Sequence, residues 1–128
     1  IILCSDMLDL TTFLSLTRVK TNNIPIAIYF HENQLSYPWS PMDRDKINKR
    51  DAHYSFINYS SALSADYVFF NSRFHMDSFL TDLKPFLKHF PDYNELGTID
   101  AIRRKSEVLN IGLDLKKFDI HKRSLLSL

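Results

Sequence analysis

The chain has 128 residues, 45% of them hydrophobic and 24% charged, a balance that fits an ordinary soluble globular domain and excludes disordered, collagen-like and coiled-coil classes. A formal charge of +1 with a pI near 8.0 supplies no strong overall field for or against nucleic acid. No apolar run approaches the ~20 residues of a spanning helix. The first residues lack the basic lead and the length of a signal peptide, so no membrane contact is expected and the setting reads as cytoplasmic, or nuclear in a eukaryote.

Residues 1–4 predict a strand carrying the lone Cys4, which has no partner for a disulfide and reads as a small packed hydrophobe. A helix follows over 8–16, with Leu10, Phe13 and Leu14 on one face. Residues 24–30 form a continuous apolar run, the pattern of a parallel strand covered on both faces. That run stops abruptly at His31-Glu32-Asn33-Gln34, four side chains that all hydrogen-bond. A polar loop extends to about residue 50 and a helix is expected over 53–64. Residues 67–70 read as a strand, and Ser72 as the N-cap of a helix whose Met76, Phe79, Leu80 and Leu83 make a buried stripe. Pro85 is expected to end that helix near Asp82, leaving an amphipathic segment over 86–90 and a turn at Pro91-Asp92-Tyr93-Asn94. A last helix over 98–105 precedes a strand over 107–111, after which Gly112 marks a turn away from the sheet.

Strand alternating with helix predicts crossover units, hence an α/β, Rossmann-like parallel sheet with flanking helices. In such a sheet the carboxyl ends of all strands face one side. Ser5-Asp6-Met7, His31 to Gln34, Asn71-Ser72 and Gly112 should therefore converge on one rim. Asn and Gln supply paired donors and acceptors for hydroxylated or amide-bearing substrates, His31 and Asp6 are groups able to exchange a proton, and Asn71-Ser72 put a helix N-terminus at the rim. With only Gly97 and Gly112, the chain has no glycine-rich phosphate loop. No metal is expected: His31-Glu32 lacks a second histidine at position 35, and His53, His75, His89 and His121 lack ligand spacing and read as helix-surface residues. The basic clusters Lys46, Lys49 and Arg50, Arg103 to Lys105, and Lys116 to Arg123 read first as helix-end and surface charge.

Tyr29 to Pro38 (Tyr-Phe-His-Glu-Asn-Gln-Leu-x-Tyr-Pro), Arg50-Asp51, Phe56-Ile57-Asn58 with Ser61-Ala62-Leu63, Ala65-Asp66 and Phe70-Asn71-Ser72-x-Phe-His resemble the N-terminal domain of the tRNA-queuosine α-mannosyltransferases, a glycosyltransferase family of the GT-B fold. The resemblance runs to Glu107 through Asp114. It implies transfer of mannose from GDP-mannose to queuosine in a tRNA anticodon, with retention at the anomeric carbon and no cofactor or metal. Residues 1–111 would then be part of the acceptor-side domain, and 112–128 a linker into a C-terminal donor-binding domain that lies outside this sequence together with the family's first strand and helix. The segment alone is therefore expected to be inactive. By the same resemblance His31 is the residue expected to touch the transferring sugar, Glu32, Asn33 and Gln34 to shape the site, and Asp6, Asp51, Asn58, Asn71 and Ser72 to support substrate binding. Two other readings stay open: the same fold acting on another acceptor, and a non-catalytic α/β domain binding nucleic acid or a partner protein.

Overall fold

The computed structural model describes residues 1–36, 51–114 and 116. Four strands, β1 (Ile2–Ser5), β2 (Ile26–Phe30), β3 (Tyr67–Phe70) and β4 (Ser106–Val108), alternate with the helices α1 (Leu10–Thr21), α2 (Asp51–Ser64), α3 (Arg73–Lys88) and α4 (Thr98–Arg104). The sheet is parallel throughout, in the order β1-β2-β3-β4. This is the predicted α/β, Rossmann-like arrangement. The registers place Ile28 beside Val68 and Phe30 beside Phe70, so Ile26, Ile28, Phe30, Val68 and Phe70 share one face.

That face carries the core. Phe30 stacks on Phe70 with centroids 5.2 Å apart, and Phe79 of α3 closes on both rings at 5.0 and 5.3 Å. Leu10, Tyr59, Ala62, Leu83, Leu87 and Ile102 complete the same cluster, so α1, α2, α3 and α4 all contribute to one layer. Parallel strands laid down in a single direction through right-handed crossovers put every connecting helix on the same side. The expectation that β2 is covered on both faces is corrected accordingly. Among the described residues the second face is open, with Leu3 68% and Tyr67 50% exposed. A continuous apolar run cannot distinguish the two situations, because small Ala27 is shielded by its neighbouring strands even with no helix above it.

α3 also runs further than its sequence predicts, through Pro85 to Lys88. Proline removes the N–H that would bond the Thr81 carbonyl, at a cost of about 3 kcal/mol in a helix interior. Here Thr81 and Pro85 both lie on the exposed face, where water can take the freed carbonyl, while Leu83 and Leu87 hold the last turns in the core. Tertiary burial overrides the break. At the amino ends of the strands, Asp66 Oδ2 accepts from Ile26 N–H at 2.8 Å, and Lys105 Nζ donates to the Leu63 carbonyl at 2.6 Å and to the Ala65 carbonyl. Lys105 thus caps the carbonyl end of α2. Burial lowers its pKa, partly countered by Asp66.

Candidate functional site

The turn leaving β1 is pinned before α1 begins. Asp6 N–H continues the strand ladder to the Tyr29 carbonyl at 3.2 Å, and Leu8 N–H turns back to Ser5. Asp9, not Asp6, caps α1, accepting from Thr12 N–H and from the hydroxyls of Thr11 and Thr12. Those bonds hold the Asp9 carboxyl below its ordinary pKa. Asp6 is left free for the next strand end. Its side chain is 2% exposed, with Oδ1 3.0 Å from His31 Nδ1 and Oδ2 accepting from Glu32 N–H at 3.1 Å.

A carboxylate offers only acceptors, so Nδ1 of His31 carries the proton and Nε2 is the free nitrogen of a side chain that is 51% exposed. The ring also rests edge-on against Tyr29, centroids 4.9 Å apart, and the His31 carbonyl accepts from Asn71 Nδ2 at 3.1 Å. Three strand ends therefore meet at His31: β1 through Asp6, β2 through His31 itself, and β3 through Asn71. Gly112 does not join them. Nothing lies within 4 Å of where its Cβ would be, and its φ is not positive.

The buried polar stripe of α2 organises the loops from below. Asn58, 1% exposed, donates Nδ2 to the Asp6 carbonyl at 3.1 Å and accepts from Gln34 N–H at 3.3 Å. One turn earlier Ser55 donates to the Gln34 carbonyl, and one turn later Ser61 accepts from Leu10 N–H. Residues spaced by three on one helix face thus satisfy the backbone of two loops that would otherwise be buried and unpaired. Asn33 is committed on the other side: Oδ1 accepts from Leu35 N–H, and Nδ2 lies 2.9 to 3.2 Å from Ser36, Ser78 and Asp82 oxygens. Gln34 reaches Glu32 at 3.2 Å, and both are at or near the surface.

Ser72 caps α3 as its sequence predicts, accepting from His75 N–H and donating to Asn71 Oδ1. His75 is not a surface residue. It is 7% exposed, its Nδ1 sits 3.0 Å from Asn71 Oδ1, its ring meets Phe70 edge-on at 5.2 Å, and its buried Nε2 has no hydrogen-bond partner. Burial depresses its pKa, opposed by the nearby Asp6 carboxylate. The signal for this lay in the spacing, since position 75 adjoins Met76 and Phe79 on the inner face. Asp51 opens α2, and its side chain lies outside the described residues, as do Lys46, Lys49, Arg50 and His121.

Of the residues proposed for the site, Asp6, His31, Asn58, Asn71 and Ser72 form one bonded network, which Glu32 and Gln34 join through their backbone N–H groups, while Asn33 bonds separately to α3 and to its own loop. A cleft of about 410 Å³ opens beside it, lined by His31, Asn33, Asn71, Ser72, Phe74 and Ser78 among others. A larger hollow of about 540 Å³ lies at the opposite ends of the strands, between the α1–β2 turn and Asp66, whose carboxylate accepts from the Ile26 N–H. The rim cleft is the one lined by the half-exposed His31 imidazole. Among the described residues no group of three His, Cys, Asp or Glu is arranged to hold a metal. Cys4 is half-buried at the sheet edge, its thiol directed to the Ala27 carbonyl and its pKa raised by burial.

The family described as tRNA-queuosine alpha-mannosyltransferase N-terminal matches residues 1–113. A Drosophila melanogaster protein named tRNA-queuosine alpha-mannosyltransferase is 39% identical over 95 residues, which are 74% of this chain and 24% of the fly protein. The chain thus matches about a quarter of that relative's length. No solved structure matches.

Proposed function

The chain belongs to the tRNA-queuosine alpha-mannosyltransferase N-terminal family, and we propose that it is the acceptor-side part of a GT-B glycosyltransferase that moves mannose from GDP-mannose to queuosine in a tRNA anticodon. The observation that supports this most is His31, offered from the carboxyl end of β2 with one nitrogen bonded to a buried carboxylate and the other free. That is a side chain held in one orientation and one tautomer toward a cleft. In this reading His31 Nε2 contacts the transferring sugar. Asp6 positions His31 rather than touching substrate, and Asn58, Asn71 and Asn33 hold the loops on which both are mounted.

The described residues offer no evident covalent nucleophile. A retaining transfer then proceeds with the acceptor hydroxyl attacking the anomeric carbon on the face from which the nucleotide departs, its proton passing to the departing phosphate. The donor nucleotide would be bound by polypeptide beyond these residues, in a cytoplasmic enzyme without a metal or cofactor. The test is the full-length protein with GDP-mannose and queuosine-bearing tRNA, read by retention of the mannosylated nucleoside on chromatography. Transfer that His31→Ala lowers by roughly 100-fold or more supports the reading. Transfer only to a different acceptor removes the tRNA assignment. No sugar transfer at all, with salt-sensitive nucleic-acid binding retained, would leave a binding domain.

A further inference from the structure

α3 directs Met76, Phe79, Leu80, Leu83 and Leu87 into the core. At roughly 100° per residue, Phe74 stands about 160° from the middle of that stripe, on the face it shares with Ser78 and Thr81. It is 83% exposed. Exposure alone does not set it apart, since Leu16 and Val19 of α1 are as exposed; its position at the rim does.

The surroundings of Phe74 narrow what it can contact. It lines the rim cleft of about 410 Å³, and every other residue lining it is His, Asn or Ser. Most of those polar groups are already used: Asn71 by His31, Ser72 and His75, Ser78 by Asn33 and Asp82, and Asn33 by three oxygens and the Leu35 N–H. What the cleft still offers is one flat apolar ring, the outer imidazole nitrogen of His31 and the Ser36 hydroxyl, which accepts from Asn33 and leaves its own O–H unused among the described residues. A second polypeptide surface would meet a single aromatic in a polar hollow, without an apolar ring of neighbours to exclude water around it. A planar heteroaromatic group with a hydroxylated substituent would use these features, its ring on Phe74 and its hydroxyls toward His31.

We propose that Phe74 is a specificity-determining residue, the stacking platform on which the base of the nucleoside acceptor lies. The assignment rests on the tRNA-modifying function proposed above. Bases presented from single-stranded loops are commonly bound by stacking on exposed aromatics, and a tRNA anticodon is such a loop.

The experiment uses the full-length protein carrying Phe74→Ala, Phe74→Leu, Phe74→Tyr or Phe74→Trp, each with initial rates at varied tRNA and at varied GDP-mannose. Phe74→Ala should raise the KM for tRNA roughly 10-fold or more, with kcat and the KM for GDP-mannose little changed. Phe74→Tyr should restore the acceptor KM and Phe74→Leu should not, because leucine keeps the apolar bulk but has no π face. An unchanged acceptor KM in Phe74→Ala, or full rescue by Phe74→Leu, overturns the proposal while leaving mannosyl transfer intact. Should the parent protein fail to modify tRNA, the functional reading falls and stacking is read directly. Fluorescence of Phe74→Trp, measured as its difference from the parent, is then titrated with guanosine monophosphate and with an unmodified anticodon stem-loop. Quenching supports a base platform for another nucleoside. Unaltered emission overturns it.

Discussion

Asp6 and His31 lie 25 residues apart in the chain, yet the Asp6 carboxylate sits 3.0 Å from His31 Nδ1. One is 2% exposed in its side chain and the other 51%. The pair therefore spans the boundary between the core and the cleft, and the buried member orients the exposed one. Its second oxygen holds the Glu32 N–H, so a single carboxylate fixes both the ring and the loop that carries it.

Replacing that carboxylate by its amide tests the arrangement with almost no change in volume. In Asp6→Asn one side-chain atom becomes a donor, and it must face either His31 Nδ1–H or Glu32 N–H, both of which are donors. His31 is expected to turn or to change tautomer. In the mannosyl transfer proposed above, the full-length protein should lose roughly 10–100-fold in kcat with a smaller change in KM, by analogy with other groups that hold an imidazole in place. A kcat equal to the parent's, at equal folded fraction, would show that the orientation of His31 is irrelevant to turnover.

Asn58 joins the first two loops to α2. Asn58→Ala leaves the Asp6 carbonyl and the Gln34 N–H without their partner. Each buried unsatisfied group costs about 1–3 kcal/mol, so a loss of about 2–5 kcal/mol is expected, measured as a lower urea midpoint at unchanged slope. Asn58→Asp should be no better, since it cannot donate and sets a second carboxylate near the first.

Pro85 interrupts the bonding of α3 without ending it. Pro85→Ala should restore an N–H to the Thr81 carbonyl and raise stability by about 1–3 kcal/mol, the helix gain being offset in part by a more flexible unfolded chain. Thermal unfolding reads the change. A lower Tm would mean that the proline shapes the final turn, where His89 Nδ1 pairs with the Pro85 carbonyl at 2.8 Å.

His75 makes stability depend on pH. Its pKa is depressed in the folded state, so below the ordinary histidine range the unfolded chain takes up a proton that the folded protein resists. The contribution is complete above the unfolded pKa near 6.5 and is lost as pH falls through that value toward the folded one. Desolvation of the charged ring outweighs the opposing pull of the Asp6 carboxylate and the Glu32 backbone. The Tm should fall between pH 7 and pH 5, and His75→Gln should flatten that slope. Equal slopes in the two proteins would show that other groups, with Asp6 and His31 the nearest, set the dependence.

Much of the architecture was legible from periodicity. The continuous apolar run of β2, the inner stripe of α3 and the Ser72 cap are local patterns, and each appears where its residues predicted it. The block from Tyr29 to Pro38 likewise marked the family before any geometry was known. Parallel crossovers were enough to place Asp6, His31 and Asn71 on one rim, because in a parallel sheet strand direction alone decides which ends meet.

What the sequence could not reveal depends on partners distant in the chain. Asp6 had two local roles open to it, helix cap or ligand group, and only the folded structure, with Asp9 taking the cap, gives it to His31. Asn33 and Asn58 looked like substrate groups because an amide carries no mark of whether its partner is protein or ligand; here α3 and buried backbone claim them. His75 is drawn inside by the aromatic cluster, and α3 passes Pro85 because burial of Leu87 outweighs a missing bond. Periodicity records which faces are apolar. The tertiary structure decides what each face and each polar group meets, because hydrogen bonding and burial are settled by distances across the sheet that no local pattern contains.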